Sequence, residues 1–257
     1  MADTALITGA SSGIGAAFAR VHAARGGDLV LVARRQEALD QLKAELEGAH
    51  GIKVHVFARD IGSAAAAQAL YEQVTAAGLE IGILINNAGF GGRGNHIERD
   101  LSSEQAMVDL NIMSLMTLTR LFAQDMAARG KGYVLNVGST AGFMPGPSQA
   151  VYFATKAFVN SYSQALNEEL RPKGVKVTVL APGYVETEFA KVADLEGTQL
   201  TKSGASAESV AKIGYDAMLA GKLVAINEAG LSLAMNWVIP LMPRRAVLKM
   251  VAKMQAK

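Results

Sequence analysis

The 257-residue chain has no cysteine. That excludes disulfides, thiolate metal sites and a cysteine nucleophile, and it is compatible with a reducing cytoplasm. An excess of charge is also missing. The 25 lysines and arginines stand against 23 aspartates and glutamates, a formal net charge of +2, which gives no sign of nucleic-acid binding. No uninterrupted apolar run reaches about 18 residues, so no membrane-spanning helix is expected. The first apolar run, Ala5-Leu6-Ile7, is far too short for the apolar core of a signal peptide. These absences predict a cytoplasmic location. There is no Pro/Gly/Ser linker, low-complexity tract or solenoid repeat, so one domain spanning 1–257 is the simplest reading.

What is present is apolar and periodic. Half the residues are hydrophobic and 26 are glycine, a composition suited to a soluble α/β protein with close helix-on-sheet packing. Short Val/Ile/Leu-rich runs predict strands at Thr4–Thr8, Asp28–Ala33, Lys53–Phe57, Ile81–Ile85, Tyr133–Val137, Lys176–Leu180 and Leu223–Ile226. Helical spacing fills the intervals, as in Gln36–Ala49, Ala64–Ala77, Ser103–Ala128 and Gln149–Leu170. Strands alternating with helices indicate repeated βαβ units and a doubly wound parallel sheet of the Rossmann type. Two regions interrupt the alternation: an aperiodic loop over 182–206, a candidate substrate loop, and an apolar tail over 231–257 that ends in a basic helical stretch.

The first strand runs into Thr8-Gly9-Ala10-Ser11-Ser12-Gly13-Ile14-Gly15, followed by a helical pattern. Glycines there let the backbone turn sharply and allow a pyrophosphate to approach with no Cβ in the way. The helix N-terminus behind them offers free N–H donors and the positive end of its dipole. The spacing is G-x-x-x-G-x-G rather than the commoner G-x-G-x-x-G.

Tyr152 and Lys156 lie four residues apart on a strongly helical stretch and so share one face. An ammonium beside a phenol favours the phenolate and lowers a pKa that is ordinarily about 10. A tyrosine tuned in this way can exchange a proton with an alcohol or carbonyl oxygen. Ser139 ends the fifth strand, where open α/β sheets place their sites, and its hydroxyl can bond the same oxygen.

With these motifs in this order, the chain resembles the short-chain dehydrogenase/reductase family. It carries the TGxxxGIG turn (Thr8–Gly15), an NNAG (Asn86-Asn87-Ala88-Gly89), Ser139 with the YxxxK of Tyr152 and Lys156, and Pro182-Gly183 with Thr187 following. The resemblance covers roughly Thr4 to Ile226. It implies seven strands in the order 3-2-1-4-5-6-7, assembly as a homodimer or homotetramer through two long helices, and specific roles. Tyr152 is implied as the acid in reduction and the base in oxidation, Lys156 as its tuner and a ligand of the nicotinamide ribose, and Ser139 as the orienter of the carbonyl. Asn111 is implied to hold a helix bend and a proton-relaying water. The cofactor contacts implied are Gly9, Ser11, Ser12, Gly13, Ile14 and Gly15 in the turn, Asp60 and Ile61 at the adenine, Asn87, Ala88 and Gly89 beside the fourth strand, and Pro182, Gly183, Val185 and Thr187 beyond the sixth. Asn86 is expected to tie strands together instead.

The second strand ends at Ala33, where an NAD enzyme would carry an acidic residue for the adenosine ribose, and Arg34 and Arg35 follow. A missing carboxylate and two guanidiniums favour the extra phosphate of NADP(H). Of the two arginines, Arg35 better suits a solvated helix opening. Around the nicotinamide, the residues Phe143, Met144, Gln149, Tyr184 and Phe189, with Pro145, predict a pocket for a ketone or aldehyde with apolar substituents. No metal site is expected.

In the tail, Val247, Met250, Val251 and Met254 fall on one helical face and Arg245, Lys249 and Lys253 on another. Packing over the substrate site or a neighbouring subunit is the favoured expectation for this segment, and contact with an anionic membrane surface is the alternative. The function expected is interconversion of a carbonyl and an alcohol with NADP(H). The rivals are a non-catalytic NADP-binding redox sensor and a membrane-surface reductase for a lipid-type carbonyl.

Overall fold

The computed structural model describes residues 3–201 and 203–257. Its strands are β1 (Thr4–Thr8), β2 (Leu29–Ala33), β3 (Val54–Ala58), β4 (Ile81–Asn86), β5 (Gly132–Val137), β6 (Val175–Leu180) and β7 (Val224–Ala225). They form one parallel sheet in the order β3-β2-β1-β4-β5-β6-β7, as the resemblance implies. Each strand lies within a residue or two of its expected limits. The largest contraction is at the edge strand β7, which pairs on one side only and keeps two residues.

The helices are α1 (Gly13–Ala23), α2 (Gln36–His50), α3 (Ala64–Ala76), α4 (Leu101–Val108), α5 (Leu115–Arg129), α6 (Ala150–Leu170), α7 (Phe189–Val192), α8 (Ala207–Leu219), α9 (Ala229–Leu233) and α10 (Arg244–Met254). Both faces of the sheet are covered. On one, Phe18 of α1, Leu39, Leu42 and Leu46 of α2, and Val210, Tyr215 and Met218 of α8 bury against alternate strand residues. On the other, Leu70 and Val74 of α3 and Leu118, Phe122 and Met126 of α5 do the same. Full burial of side chains such as Phe18 or Leu118 stabilises by roughly 1.5–3 kcal/mol each.

Small residues set the helix spacing. A Cβ on Gly214 of α8 would stand 2.7 Å from Leu180 and 3.2 Å from Phe18. The buried His22 is structural. Its Nδ1 lies 2.6 Å from the Tyr215 hydroxyl and its Nε2 3.1 Å from the Asp28 carbonyl, and burial lowers its pKa, keeping the ring neutral.

Two elements depart from the sequence reading. The helix expected at Ser103–Ala128 starts earlier, at Leu101, and is interrupted by a π-helical turn over Asp109–Ser114. As a whole, Leu101–Arg129 is long and apolar enough to cross a membrane by length and composition alone. Its apolar face, with Leu118, Phe122 and Met126, is spent on the sheet. The tail is helical almost throughout. α9 continues through a π turn (Ala234–Val238) and a 3-10 turn (Ile239–Leu241), and Pro243 then redirects the chain into α10. Met235, Ile239, Val247 and Val251 bury against Met107, Tyr152 and Phe153, so the tail packs over the carboxyl ends of the strands.

Candidate active site

A cleft of about 1010 Å³ opens along the carboxyl ends of the strands, where doubly wound sheets bind ligands. At its floor the glycine turn leaves β1. Gly9 and Gly13 have φ of 66° and 53°, the left-handed region that glycine adopts at least cost. A Cβ on Gly9 would lie 2.8 Å from the Asn87 amide nitrogen, and one on Gly15 would lie 2.2 Å from the Gly9 carbonyl oxygen. Gly15 therefore serves the passage of α1 over the turn and does not line the cleft. Ser12 precedes α1 in extended conformation without capping it through its side chain, which leaves first-turn N–H groups for an anion. Asn87 Nδ2 donates to the Thr8 carbonyl at 2.9 Å, and Thr8 Oγ1 accepts from the Asn87 and Ala88 amides at 3.0 Å each. These bonds hold the β1 and β4 loops side by side. Asn86 donates to Thr119 and Asn136, each at 2.9 Å, the strand-tying role expected of it.

The adenosine end is lined by Ala33, Arg34, Arg35, Arg59, Asp60 and Ile61. Arg35, expected to be the more solvated of the pair, is the arginine drawn to the glycine turn. It donates to Ser11 Oγ at 3.2 Å and to Glu188 at 3.1 and 3.3 Å. Arg34 lines the cleft without such a bond to the turn. Arg59 went unnoticed in the sequence, although its position next to Asp60, just beyond β3, could have flagged it. Asp60 accepts from the Gly62 amide at 2.8 Å, which shapes the turn, and Ser114 of the π segment donates to the Ile61 carbonyl.

At the centre, Ser139, Tyr152 and Lys156 converge, all less than 10% exposed. Ser139 is held to α6 through its carbonyl, which accepts from Asn160 Nδ2 at 3.0 Å. Its hydroxyl accepts from the Ala141 amide at 3.0 Å and opens the 3-10 turn Thr140–Phe143. Asn160 was missed in the sequence, yet it stands four residues after Lys156, on the face that Tyr152 and Lys156 share. Lys156 Nζ donates to the Val137 carbonyl at 2.8 Å and lies 5.8 Å from the centre of the Tyr152 ring. The expected lowering of the tyrosine pKa is not the dominant effect. Burial pushes the phenol up to about 12, opposed by hydrogen bonding with Ser139, and burial brings Lys156 down to about 8.

Asn111 sits in the π turn, a feature frequent at functional sites. Its side chain is used within the protein. Nδ2 donates to the Phe90 carbonyl at 2.9 Å and to Thr155 Oγ1 at 3.1 Å, and Oδ1 accepts from the Phe90 amide at 3.1 Å. It thus fixes the loop after β4 against α6 and does not line the cleft.

The remaining half is apolar. Met144, Phe153, Leu231, Met235, Val251 and Met254 line it, with Gln149, Tyr184 and Phe189 as expected. The Phe189 ring is 5.4 Å from that of Tyr152, and a Cβ on Gly91 would strike both. Gln149 is buried with its Nε2 unpartnered. Phe143 is a correction. It does not line the main cleft; with Pro145 it lines an adjoining hollow beside Arg244 and Leu248 that shares Met144 and Phe153 with the cleft. Pro182, Gly183, Val185 and Thr187 line the main cleft, and Thr187 meets Gly13, where a Cβ would be 3.0 Å away. Within the described part of loop 182–206, which leaves out residue 202, α7 forms with a small core of Ala190, Ala193 and Leu195. The end of the tail is pinned to it. Arg93 donates to the Gln255 carbonyl at 2.9 Å and to Asp194 at 3.3 Å, and Lys257 donates to Asp194 at 2.6 Å.

The model of the short chain dehydrogenase family matches residues 3–196. The chain belongs to the short-chain dehydrogenase family. A very-long-chain 3-oxoacyl-CoA reductase of Anas platyrhynchos is 32% identical to this dehydrogenase over 255 residues, 97% of this chain and 78% of the relative. Among solved structures, a short-chain dehydrogenase from Sphingobium yanoikuyae in complex with NADPH superposes with a TM-score of 0.85 at 32% identity, covering 100% of this chain and 99% of the other. The bulky-bulky ketone specific alcohol dehydrogenase from Comamonas testosteroni gives a TM-score of 0.78 at 31% identity, covering 95% and 96%. The dehydrogenase is thus an oxidoreductase, and its glycine turn, closed to any Cβ and backed by a helix N-terminus, fits the diphosphate of a nicotinamide dinucleotide.

Proposed function

We propose that the chain is an NADP(H)-dependent carbonyl reductase, or in reverse an alcohol dehydrogenase, for ketones with large apolar substituents. The observation that carries this reading is the division of the cleft. Among the described residues, every cation lining it other than Lys156 belongs to the adenosine end, as Arg34, Arg35 and Arg59. Beyond Tyr152 the walls are mainly methionine, leucine, valine and aromatic side chains, with Gln149, Gln199, Ser203 and Glu228 among the polar exceptions. A carbonyl carrying apolar groups gains from burial there. The names of the two ketone-reducing relatives, one for very-long-chain oxoacyl substrates and one for bulky-bulky ketones, agree with a site of this kind.

A bound nicotinamide supplies or accepts the hydride. Ser139 Oγ donates a hydrogen bond that orients the substrate carbonyl oxygen. Tyr152 is protonated at neutral pH, as any phenol is, and burial raises its pKa further; it delivers that proton to the same oxygen as charge develops there. Lys156 is mostly charged at pH 7 with a pKa near 8, and its ammonium stabilises the phenolate left behind. Asn111 keeps the β4 loop and α6 in register. At the adenosine end Ala33 repels no phosphate, and the guanidiniums of Arg34 and Arg35 can pair with the 2′-phosphate.

The redox-sensor reading is disfavoured because Ser139, Tyr152, Lys156 and Asn111 are all present and assembled. Exposed Leu101, Val108 and Met113 on α4 and the π turn support the expected homo-oligomer. The test is a panel of ketones and alcohols read by NADPH absorbance. Bulky apolar ketones are expected to be reduced faster than small or anionic carbonyls. NADPH binding with no turnover of any carbonyl or alcohol would support the sensor instead.

A further inference from the structure

The tail has two apolar faces, and only one is used. Its inner face, with Leu231, Met235, Val251 and Met254, lines the cleft. On the outer side Leu233, Trp237 and Leu241 recur every four residues, and they are 60%, 69% and 84% exposed, with Val238 and Leu248 beside them. Val192 of the substrate loop, which also lines the cleft, is 62% exposed. A soluble surface rarely leaves so many large apolar side chains together without a partner.

Charge identifies that partner. From residue 229 to the C-terminus there is no Asp or Glu, while Arg244, Arg245, Lys249, Lys253 and Lys257 are present. In α10 the buried Val247 and Val251 define the inward face, and Arg245, Leu248, Lys249 and Lys253 are exposed. A second copy docking through the same patch would bring two such cationic segments together, because an isologous contact places a surface against itself. An anionic lipid surface instead matches both the cations and the exposed tryptophan and leucines.

We propose that the continuous helical segment Ala229–Leu241 and α10 dock this protein on anionic membranes. The outer face of Ala229–Leu241, with Leu233, Trp237 and Leu241, inserts at the headgroup boundary, and the cations of α10 contact lipid phosphates. Because the same segment roofs the cleft on its inner face, docking sets the apolar half of the site beside the bilayer, where a poorly soluble carbonyl is dissolved. The delivery of substrate rests on the carbonyl-reductase reading; the docking does not.

Trp237 is the chain's single tryptophan, so its fluorescence reports this face alone. The full chain is mixed with phosphatidylcholine vesicles made with or without phosphatidylglycerol, and binding is followed by co-sedimentation and Trp237 emission. Expected are sedimentation and a blue shift with phosphatidylglycerol vesicles, weakened by salt and small with phosphatidylcholine alone. Arg245→Glu with Lys249→Glu should lower partitioning about 100-fold, and Leu241→Asp should reduce the blue shift. Both variants should keep wild-type turnover of a water-soluble ketone, since none of these residues lines the cleft. Absence of binding to anionic vesicles overturns the proposal. So does a blue shift that appears without lipid and tracks dimer formation in sedimentation equilibrium, which would assign the face to a second copy. Loss of soluble-ketone turnover in the unmodified protein would count against the functional reading and leave the docking result intact.

Discussion

The two halves of the cleft are built by different means. The cofactor half is polar and local. It consists of strand ends, a glycine turn with two left-handed residues, and loops bonded to one another through Thr8 and Asn87. The substrate half is apolar and assembled from afar, from α7 and its loop, α9 and α10. The first is specified by backbone conformation and hydrogen-bond direction, which tolerate little change. The second is specified by volume and hydrophobicity, which tolerate repacking. Substitutions in one half should therefore leave the constants of the other nearly unmoved.

The seam between the halves should respond most strongly. Ser139→Ala removes the donor to the substrate oxygen, and kcat is expected to fall by about 10²–10³, with any carbonyl tested. Steady-state kinetics on a bulky and a small ketone check this; a loss confined to one substrate would move Ser139 from the reacting oxygen to the pocket wall.

At the adenosine end, each charge-assisted contact with a phosphate is worth roughly 1.5–3 kcal/mol where partly desolvated, or roughly 10- to 150-fold. Arg34→Ala and Arg35→Ala should each erode the ratio of kcat/KM for NADPH over NADH, mainly by weakening NADPH. The variant with the larger effect identifies the main phosphate ligand. The sequence favours Arg34, whereas the geometry beside Ser11 favours Arg35. Unchanged ratios in both would leave the two as surface cations.

In the tail, Val251→Ser puts a hydroxyl into the apolar wall. KM for a bulky ketone should rise by about 3- to 30-fold, while NADPH affinity measured by fluorescence titration stays put. A matching loss of NADPH affinity would break the division between the halves.

A further effect is expected on stability, outside the kinetic constants. Burial holds the Lys156 pKa near 8 against the ordinary 10.5, a penalty of roughly 3 kcal/mol for its charge, partly offset by about 1 kcal/mol for its bond to the Val137 carbonyl. Lys156→Met should therefore stabilise the inactive protein by about 1–3 kcal/mol in urea unfolding at pH 7. The sign with pH is fixed. Below pH 8 the lysine is charged in both states and the penalty is full. Between pH 8 and 10.5 the unfolded chain holds more protons, so the stability of the wild type rises and the gain from the variant shrinks. A destabilised Lys156→Met at pH 7 would mean that the ammonium is a net structural anchor.

The same division explains what could be read from the sequence. The sheet, its order and the residues around Gly9, Ser139, Tyr152 and Lys156 were legible because period, turn chemistry and motif spacing are local. The π turn around Asn111 was not, because one extra residue in a helical turn barely alters the apolar period. Phe143 was misplaced because a residue in the short turn after β5 can line either of two adjoining hollows, and motif spacing does not say which. Asn160, Arg59 and the Arg93–Asp194–Lys257 cluster were missed because their partners lie far away in sequence or in a loop without period. The tail's apolar and basic pattern already offers packing and membrane contact as alternatives in the sequence, and only the fold, which gives one face to the cleft and leaves another exposed, leaves room for both.

The central claim is that Tyr152 exchanges the proton with the substrate oxygen in an NADP(H)-dependent reaction. Tyr152→Phe keeps the ring packed against Phe189 and removes only the hydroxyl. The most direct measurement is single-turnover reduction of a bulky ketone by the NADPH complex of wild type and variant, with NADPH affinity measured alongside. The account predicts a fall in rate by a factor of about 10²–10⁴, with NADPH affinity essentially unchanged. A Tyr152→Phe variant that reduces the ketone at close to the wild-type rate would contradict it.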